Sequence, residues 1–165
     1  MSRKWFVIAV LAALEVPFAQ AQRSAASQPA RNASPPANAL TDPSGMYSFL
    51  KEGEFVQLNI EDGKISGYIS RFGDSDSDKG QFIDQFFSKA SYEGGNLSFS
   101  TKVVHGVWYE FKGTLSIAPD KQPGKEGYRV IRGALKQHAS DARGADNAAQ
   151  RQVEFKSFPD DMGGP

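Results

Sequence analysis

The sequence predicts an all-β fold, a single antiparallel up-and-down barrel of about eight strands with one short helix. From Gly45 to Phe158, short stretches alternate apolar and polar residues, which is the period of a strand with one buried face. Glycine interrupts several of them, as in Ser66-Gly67-Tyr68-Ile69 and Lys112-Gly113-Thr114-Leu115, and glycine within a strand marks a bend or a close backbone approach. Repetition of this pattern at short spacing is typical of a sheet that curls into a small barrel or sandwich.

The amino end predicts export. Arg3 and Lys4 precede an apolar run from Trp5 to Leu14, and Ala19-Gln20-Ala21 supplies small residues for cleavage. A membrane anchor is the alternative, but the run is shorter than the roughly 20 residues of a spanning helix, and Glu15 interrupts it. We therefore expect a signal peptide at residues 1–21 and a periplasmic or extracellular protein, with no membrane contact after cleavage.

Residues 22–43 are rich in Ala, Ser, Asn, Gln and Pro and hold almost no large apolar side chain. Such a segment cannot bury enough surface to offset its ordering entropy, which predicts a disordered linker. It is either a spacer or a short arm that orders on a partner. The barrel domain is expected at residues 44–159 and a disordered tail at residues 160–165.

Composition excludes several functional classes. The chain has no cysteine, so a lipoprotein anchor, a disulfide framework and a thiolate metal site are excluded. Its formal charge is zero, and its Lys and Arg residues are scattered. A nucleic-acid partner is not expected, because such proteins carry a basic stripe that displaces counterions from phosphates.

The strands follow from the alternation and the turns between them. Asp62-Gly63 is a two-residue hairpin signal, and Gly94-Gly95 and His105-Gly106 mark two further turns. A barrel of about eight strands is just wide enough to be filled by side chains or to hold one small ligand. The predicted strands are Met46–Lys51, Phe55–Ile60, Ile65–Phe72, Phe86–Tyr92, Leu97–Val103, Val107–Ile117, Tyr128–Gln137 and Gln152–Phe158.

Two segments depart from the strand pattern. Phe82 to Phe87 has apolar residues at helical spacing behind a capping pair, Asp78 and Gln81, so we predict a short helix there that becomes a strand near Phe87. Ala139 to Gln150 lacks pattern and large apolar residues, and we predict a long disordered loop.

The strand pattern resembles that of avidin-like and lipocalin-like barrels. The resemblance rests on Gly45-Met46-Tyr47, on Asp62-Gly63-Lys64-Ile65-Ser66-Gly67, and on Trp108-Tyr109-Glu110-Phe111-Lys112-Gly113. It implies an early Gly-x-aromatic motif that plugs one barrel end, and it implies architecture rather than activity. Biotin binding is not implied, because Ser48-Phe49-Leu50 and Phe99 stand where the avidin pattern has an Asn, a Ser and pocket-lining Trp residues.

Five residues are candidate ligand contacts. Tyr47 and Tyr109 are expected as core aromatics whose hydroxyls reach a rim, with a ligand-lining role as the alternative, and Phe99 is a further candidate ligand contact. Trp108 is predicted to share the outer face with Glu110, where it could anchor a partner, unless the acidic loop or the short helix covers it or the faces are reversed. Arg132 is solvated if Ile131 faces the core, and otherwise reaches into the lumen as an anion anchor.

The acidic segment from Asp74 to Gly80 is a candidate Ca²⁺ site. Asp74, Asp76 and Asp78 stand at the alternate positions from which a turning loop supplies oxygen ligands. The pattern is incomplete, because Lys79 and Gln85 occupy positions where a calcium loop has Gly and Glu. The alternative is a solvated loop whose last Asp caps a helix, and no other cofactor is expected.

Function is predicted only as a class. The sequence has no nucleophile elbow, paired-histidine metal motif or Gly-rich phosphate loop. We therefore predict an exported, non-enzymatic β-barrel binding module for a small apolar molecule or a protein partner. The alternatives are a periplasmic inhibitor or adhesion module with an amino-terminal arm, and a hydrolase.

Overall fold

Eight antiparallel strands form one sheet in the computed structural model of the chain. The structure describes residues 40, 42–73, 78–140 and 146–160. Most of the predicted signal peptide and linker therefore lies outside the described residues, and the described part has no helix of the length and hydropathy needed to cross a membrane. The strands are β1 (Gly45–Ser48), β2 (Phe55–Glu61), β3 (Lys64–Phe72), β4 (Phe82–Glu93), β5 (Asn96–Thr101), β6 (Val107–Ile117), β7 (Arg129–Ser140) and β8 (Asp146–Lys156).

The strands follow one another in chain order, and the curled sheet brings the last strand back to the first. Tyr47 of β1 forms an antiparallel bridge with Ser157, just after β8. The Phe158 amide donates to the Met46 carbonyl at 2.9 Å, and the Lys156 amide donates to Ser48 Oγ at 3.0 Å. The predicted up-and-down arrangement of about eight strands is confirmed.

Three hairpins turn on two residues with left-handed backbone angles. The φ values are 52° and 71° at Asp62 and Gly63, 55° and 84° at Gly94 and Gly95, and 50° and 76° at His105 and Gly106. Positive φ at both central residues belongs to the type I′ turn, whose twist matches that of the flanking strands. All three turns stand where the sequence predicts them.

Alternation sets the core as predicted. Val56 and Leu58 of β2 are buried, while Phe55 and Gln57 lie on the other face and are only partly covered. On β6, Tyr109, Phe111 and Leu115 point inward. The buried hydrophobic core consists of Tyr47, Phe49, Val56, Leu58, Ile69, Leu97, Phe99, Tyr109, Phe111, Leu115, Ile131, Leu135 and Phe155.

The predicted short helix is wrong, because residues 82–87 belong to β4, which runs from Phe82 to Glu93. Side chains alternate along this strand, with Phe82 and Phe86 exposed and Gln85 buried. The sequence pattern misled because two adjacent phenylalanines occupy opposite faces, Phe86 outside and Phe87 inside. A run in which both faces carry apolar residues matches helical spacing as well as strand spacing.

The predicted loop from Ala139 to Gln150 is shorter than expected. β7 continues to Ser140, and β8 begins at Asp146. The two strands are paired along their length, and the last pair is Ser140 with Asp146. Residues 147–150 are exposed. This end of the hairpin is held by backbone pairing rather than by burial, so its residues need no apolar alternation and give no strand signal in the sequence.

Candidate functional site

Aromatic rings fill the interior of the barrel. Phe87 stacks on Phe99 with centroids 4.3 Å apart, and Phe99 stacks on Phe111 at 5.2 Å. Phe111 then contacts Phe155 at 5.2 Å, and Phe155 contacts Phe49 at 5.5 Å. Continuous ring packing of this kind occupies the space in which a carrier barrel of the same strand number would hold a ligand.

Three of the predicted ligand contacts belong to this interior. Tyr47, Phe99 and Tyr109 are each at most 3% exposed. The Tyr47 hydroxyl donates to the Pro43 carbonyl at 2.8 Å, and the Arg129 guanidinium lies 5.9 Å from the centre of the Tyr47 ring. Burial raises the pKa of the Tyr47 hydroxyl well above its ordinary range. These side chains belong to the packed core of the barrel.

Trp108 lies on the outer face together with Glu110, as the alternation predicts. Its ring stacks on His138 of β7 with centroids 4.6 Å apart, and it is half-buried. His138 Nε2 lies 3.4 Å from Glu110 Oε2. The neighbouring imidazole covers one side of the Trp108 ring. Residues 74–77 of the acidic loop, the alternative cover, lie outside the described residues, and the use of Trp108 as an anchor for a partner stays a prediction.

Arg132 lies outside the barrel, because Ile131 faces the core. Its Nε donates to Glu154 Oε2 at 2.6 Å, and this hydrogen bond lowers the pKa of the Glu154 carboxyl. The sequence left two alternatives for Arg132, a solvated side chain or one that reaches into the lumen, and in the structure the side chain is solvated. The five candidate ligand contacts are therefore divided between the interior and the outer surface, and a ligand role for any of them stays a prediction.

Of the three candidate calcium ligands, only Asp78 lies among the described residues. Asp74 and Asp76 lie outside the described residues. Asp78 is 6% exposed, and its Oδ2 lies 2.6 Å from Nδ1 of His105, in the type I′ turn between β5 and β6. Within residues 78–140 and the other described ranges, no three acidic or histidine side chains are grouped as metal ligands. Calcium binding stays a prediction.

The outer surface of β2, β3 and β4 carries a set of aromatic rings, here called the outer aromatic face. Cross-strand register aligns them, since Tyr68 pairs with Phe86 and Phe72 pairs with Phe82. Ring centroids are 5.4 Å apart in the first pair and 4.5 Å in the second. Phe82 and Phe86 are 56% and 53% exposed. The face consists of Phe55, Tyr68, Phe72, Phe82 and Phe86.

A groove opens beside this face because β4 changes partners along its length. Its first half, Phe82 to Phe86, pairs with β3, and its second half, from Phe87 onward, pairs with β5. The register shifts between Phe87 and Lys89, where a β-bulge bends the strand away from β3. Among the described residues, the first four positions of β3 then pair with β2 alone, which leaves a gap between β3 and β4.

The groove has a volume of about 380 Å³, a lining of mixed polar and apolar residues, and two basic side chains. Phe87 forms part of its floor, because a Cβ at Gly67 would lie 2.7 Å from Cε2 of that ring. The Gln57 carbonyl oxygen would be closer still, at 2.1 Å, so glycine is required at this position of β3. Lys89 and Lys102 line the groove and are exposed. The remaining lining residues are Asn59, Ile65, Ser66, Tyr68, Phe86, Ser88 and Ala90.

The other side of β4 is closed by a side chain instead of by a backbone ladder. Gln85 is fully buried, and its Nε2 donates to the carbonyls of Lys102 and Val107 at 3.2 and 2.9 Å. Its Oε1 accepts from Nε of Arg71 at 2.6 Å. This amide and a main-chain hydrogen bond from the Lys102 amide to the Phe86 carbonyl, at 2.8 Å, close the side of the first half of β4 that faces the turn into β6. The open part of β4 is its second half, on the side that faces β3.

Sequence reasoning missed both the outer aromatic face and the groove. A signal for the face was present, because Tyr68 and Phe72 lie four positions apart on one strand, on the side opposite the buried Ile69. Because residues 82–87 were predicted as a helix, Phe82 and Phe86 were not expected on the outer side of the sheet. The groove depends on where β4 exchanges partners, which the alternation of a single strand does not encode.

No protein-family model and no curated protein matches this chain. Among solved structures, the chain is similar to the bradavidin2–biotin complex, with 12% sequence identity and a TM-score of 0.46. The matched region covers 70% of this chain and 97% of that one.

Proposed function

We propose that this chain is an exported, non-enzymatic β-barrel module that binds a protein partner through the outer aromatic face and the adjoining groove. One observation carries the proposal: Phe82 and Phe86 are 56% and 53% exposed on the outside of a barrel whose interior holds stacked rings. Clustered exposed aromatics are uncommon on monomeric proteins and mark interaction sites. Export is proposed from the basic, apolar and small-residue order of residues 1–21.

The contrast with the rest of the barrel supports this assignment. On the outer surface of β4, β5 and β6, a second hollow of about 740 Å³ has no aromatic side chain in its lining, which includes Ser91, Ser98 and Thr114. Ser91 Oγ and Ser98 Oγ are 2.8 Å apart there and hydrogen-bond to each other. The exposed rings are therefore concentrated on one side of the sheet, as expected for a localised contact surface.

Site-specific photo-crosslinking tests the proposal. A photoreactive phenylalanine derivative replaces Phe86 in cells of the source organism, and the matched control carries it at Lys112, an exposed position on the polar outer surface of β6. We expect a discrete crosslinked protein from position 86 alone, and its loss when Phe82→Ser is added. Crosslinks of equal yield from both positions, or none from position 86, would contradict the proposed function.

A small apolar ligand is the second candidate, favoured by the volume of the groove, which lies within the range of small-molecule sites. Native mass spectrometry of the chain purified from its own host distinguishes the two. A small molecule that stays bound to the wild type, and is lost from variants whose groove is wider or carries an added charge, would favour a carrier of small molecules. An inhibitor or adhesion role that uses residues 22–43 as an arm remains an alternative form of protein binding, and it predicts loss of the crosslink when that segment is deleted.

A further inference from the structure

We propose that the groove between β3 and β4 receives an extended peptide segment of the partner, which pairs as an added strand and carries a carboxylate that Lys89 and Lys102 contact. This inference rests on the proposed function and specifies its occupant. Three independent features of the groove support it: an open backbone edge, a local excess of positive charge, and an exposed apolar area too small for a second folded copy.

The backbone edge is the first feature. Within the described residues, Lys64 to Gly67 of β3 pair on one side only, with β2. The facing part of β4, Lys89 to Glu93, also pairs on one side only, with β5. Strand edges present amide and carbonyl groups in the geometry that an incoming extended chain can complete. A peptide gains main-chain hydrogen bonds here that a compact small molecule cannot reproduce.

The side chains around the edge suit a strand with alternating residues. Tyr68 and Phe86 lie on the outer side of the groove, and the Phe87 ring lies at its floor. Successive side chains of an added strand point to opposite faces, so one set would meet this apolar floor and the other would face solvent. The outer aromatic face continues the same surface along β3, where Phe72 follows Tyr68 by four positions, roughly 13 Å at strand rise.

Charge identifies the chemistry of the segment. Lys89 and Lys102 are the two charged residues of the groove lining, both are exposed, and neither forms an ion pair with a described residue. The chain as a whole has a formal charge of zero, so this excess is a property of the groove. Complementary charge steers a partner and suppresses wrong ones, which predicts Asp or Glu in the bound segment.

The exposed area argues against a second copy of this chain. Phe82 and Phe86 are each just over half exposed. With about 150 to 250 Å² for a whole aromatic side chain, the two rings offer on the order of 200 Å². A stable protein interface buries about 800 Å² on each partner. An area of this size is suited to a short linear segment.

The inference is tested by selecting peptides from a displayed library of random 12-residue sequences. The full chain, which includes the barrel at residues 44–160, is the immobilised target. We expect enriched peptides with alternating apolar residues and at least one Asp or Glu. Their affinity should fall about tenfold or more in Lys89→Glu/Lys102→Glu, fall with rising salt, and remain unchanged in Lys112→Glu on the polar surface of β6. Circular dichroism of each variant establishes that the barrel is folded.

Backbone pairing has its own measurement. N-methylation of alternate amides of an enriched peptide should abolish binding in at least one set of positions, because every second amide of a strand faces a given neighbour. Loss in one set supports pairing with one edge of the groove, and loss in both sets supports pairing with both edges. Amide exchange at residues 64–67 should slow when the peptide binds. Tolerance of both methylated sets, or no enriched peptide above background, would overturn the strand proposal.

The remaining outcomes separate this inference from the proposed function. If the position-86 crosslink to a partner persists in Lys89→Glu/Lys102→Glu, protein binding stands and the groove is not where the segment binds. If decanoate binds the wild type in calorimetry, is lost in that variant, and no peptide is enriched, the occupant is a small amphiphile. If light scattering detects a dimer that Phe86→Ser dissociates, the occupant is a second copy.

Discussion

At the residue scale, Tyr47 links the start of the barrel to its core. The side chain is fully buried, its hydroxyl donates to the Pro43 carbonyl, and the Arg129 guanidinium lies over its ring. Pro43 itself is buried, although the composition of the preceding residues predicts disorder up to this position. The resemblance carried by Gly45-Met46-Tyr47 implied an aromatic plug, but the cation over its ring, Arg129, comes from a distant segment and gives no local signal.

Tyr47 predicts how stability depends on alkaline pH. Burial raises the pKa of its hydroxyl in the folded state, and burial also raises the pKa of Tyr92. A raised folded-state pKa leaves stability intact below the unfolded value of about 10 and removes it as pH rises further, because the unfolded chain ionises first. We expect urea unfolding of the wild type to show constant stability from pH 7 to 9 and a progressive loss above pH 10.

Tyr47→Phe isolates this contribution. The variant should be about 1 kcal/mol less stable at pH 7, since it loses one buried hydrogen bond and orphans a carbonyl. Above pH 10 its stability should fall less steeply than that of the wild type, with Tyr92 accounting for part of the remaining slope. Parallel curves for the two proteins above pH 10 would show that Tyr47 ionisation is not linked to unfolding.

At the element scale, the sequence predicted what depends on neighbouring residues and missed what depends on strand exchange. The turn at Asp62-Gly63 and the extent of β6, Val107–Ile117, were both predictable, because left-handed turn residues and strict alternation are local. The partner change in β4 was not, since it arises from a bulge and from the Gln85 amide that closes the opposite side. The candidate groove exists because of that change, so sequence reasoning could not find it.

The paired glycines of β6 and β7 give a prediction at this scale. Gly113 pairs with Gly133, and a Cβ at Gly113 would lie 2.3 Å from the Arg132 carbonyl oxygen and 2.5 Å from Cζ of Phe111. Because backbone blocks the added methyl, Gly113→Ala should lower the free energy of unfolding by about 2 to 4 kcal/mol. The neighbouring Thr114→Ala, on the exposed side, should change it by less than about 0.5 kcal/mol. Equal values from chemical denaturation would contradict the close approach of the two strands.

At the scale of the whole molecule, the sheet of eight strands curls around a core of packed rings, and its exposed aromatic side chains are unevenly distributed. The exposed aromatic rings among the described residues, Phe82 and Phe86, both lie on the outer surface of β4, and the other exposed large apolar side chains are Leu40, Met46 and Val103. Alternation in the sequence predicted which side chains face the interior and which face the exterior. It did not predict which of the two surfaces binds a ligand or a partner. That distinction depends on side-chain volumes summed across all the strands, because the same number of strands can enclose either a packed core or a ligand.

Opening the interior on purpose tests this distinction. Phe111 is 1% exposed and contacts both Phe99 and Phe155, so Phe111→Ala should lower the free energy of unfolding by about 3 to 5 kcal/mol and leave an apolar cavity. Such a cavity stays dry and takes up small apolar molecules. Indole should therefore raise the melting temperature of Phe111→Ala, or of the milder Phe111→Leu, and leave the wild type unchanged.

Phe82→Ala on the outer aromatic face serves as the control, with little loss of stability and no response to indole. If indole stabilises the wild type as strongly as the variant, the natural barrel has an open lumen, and a small-molecule carrier becomes the better description of the protein.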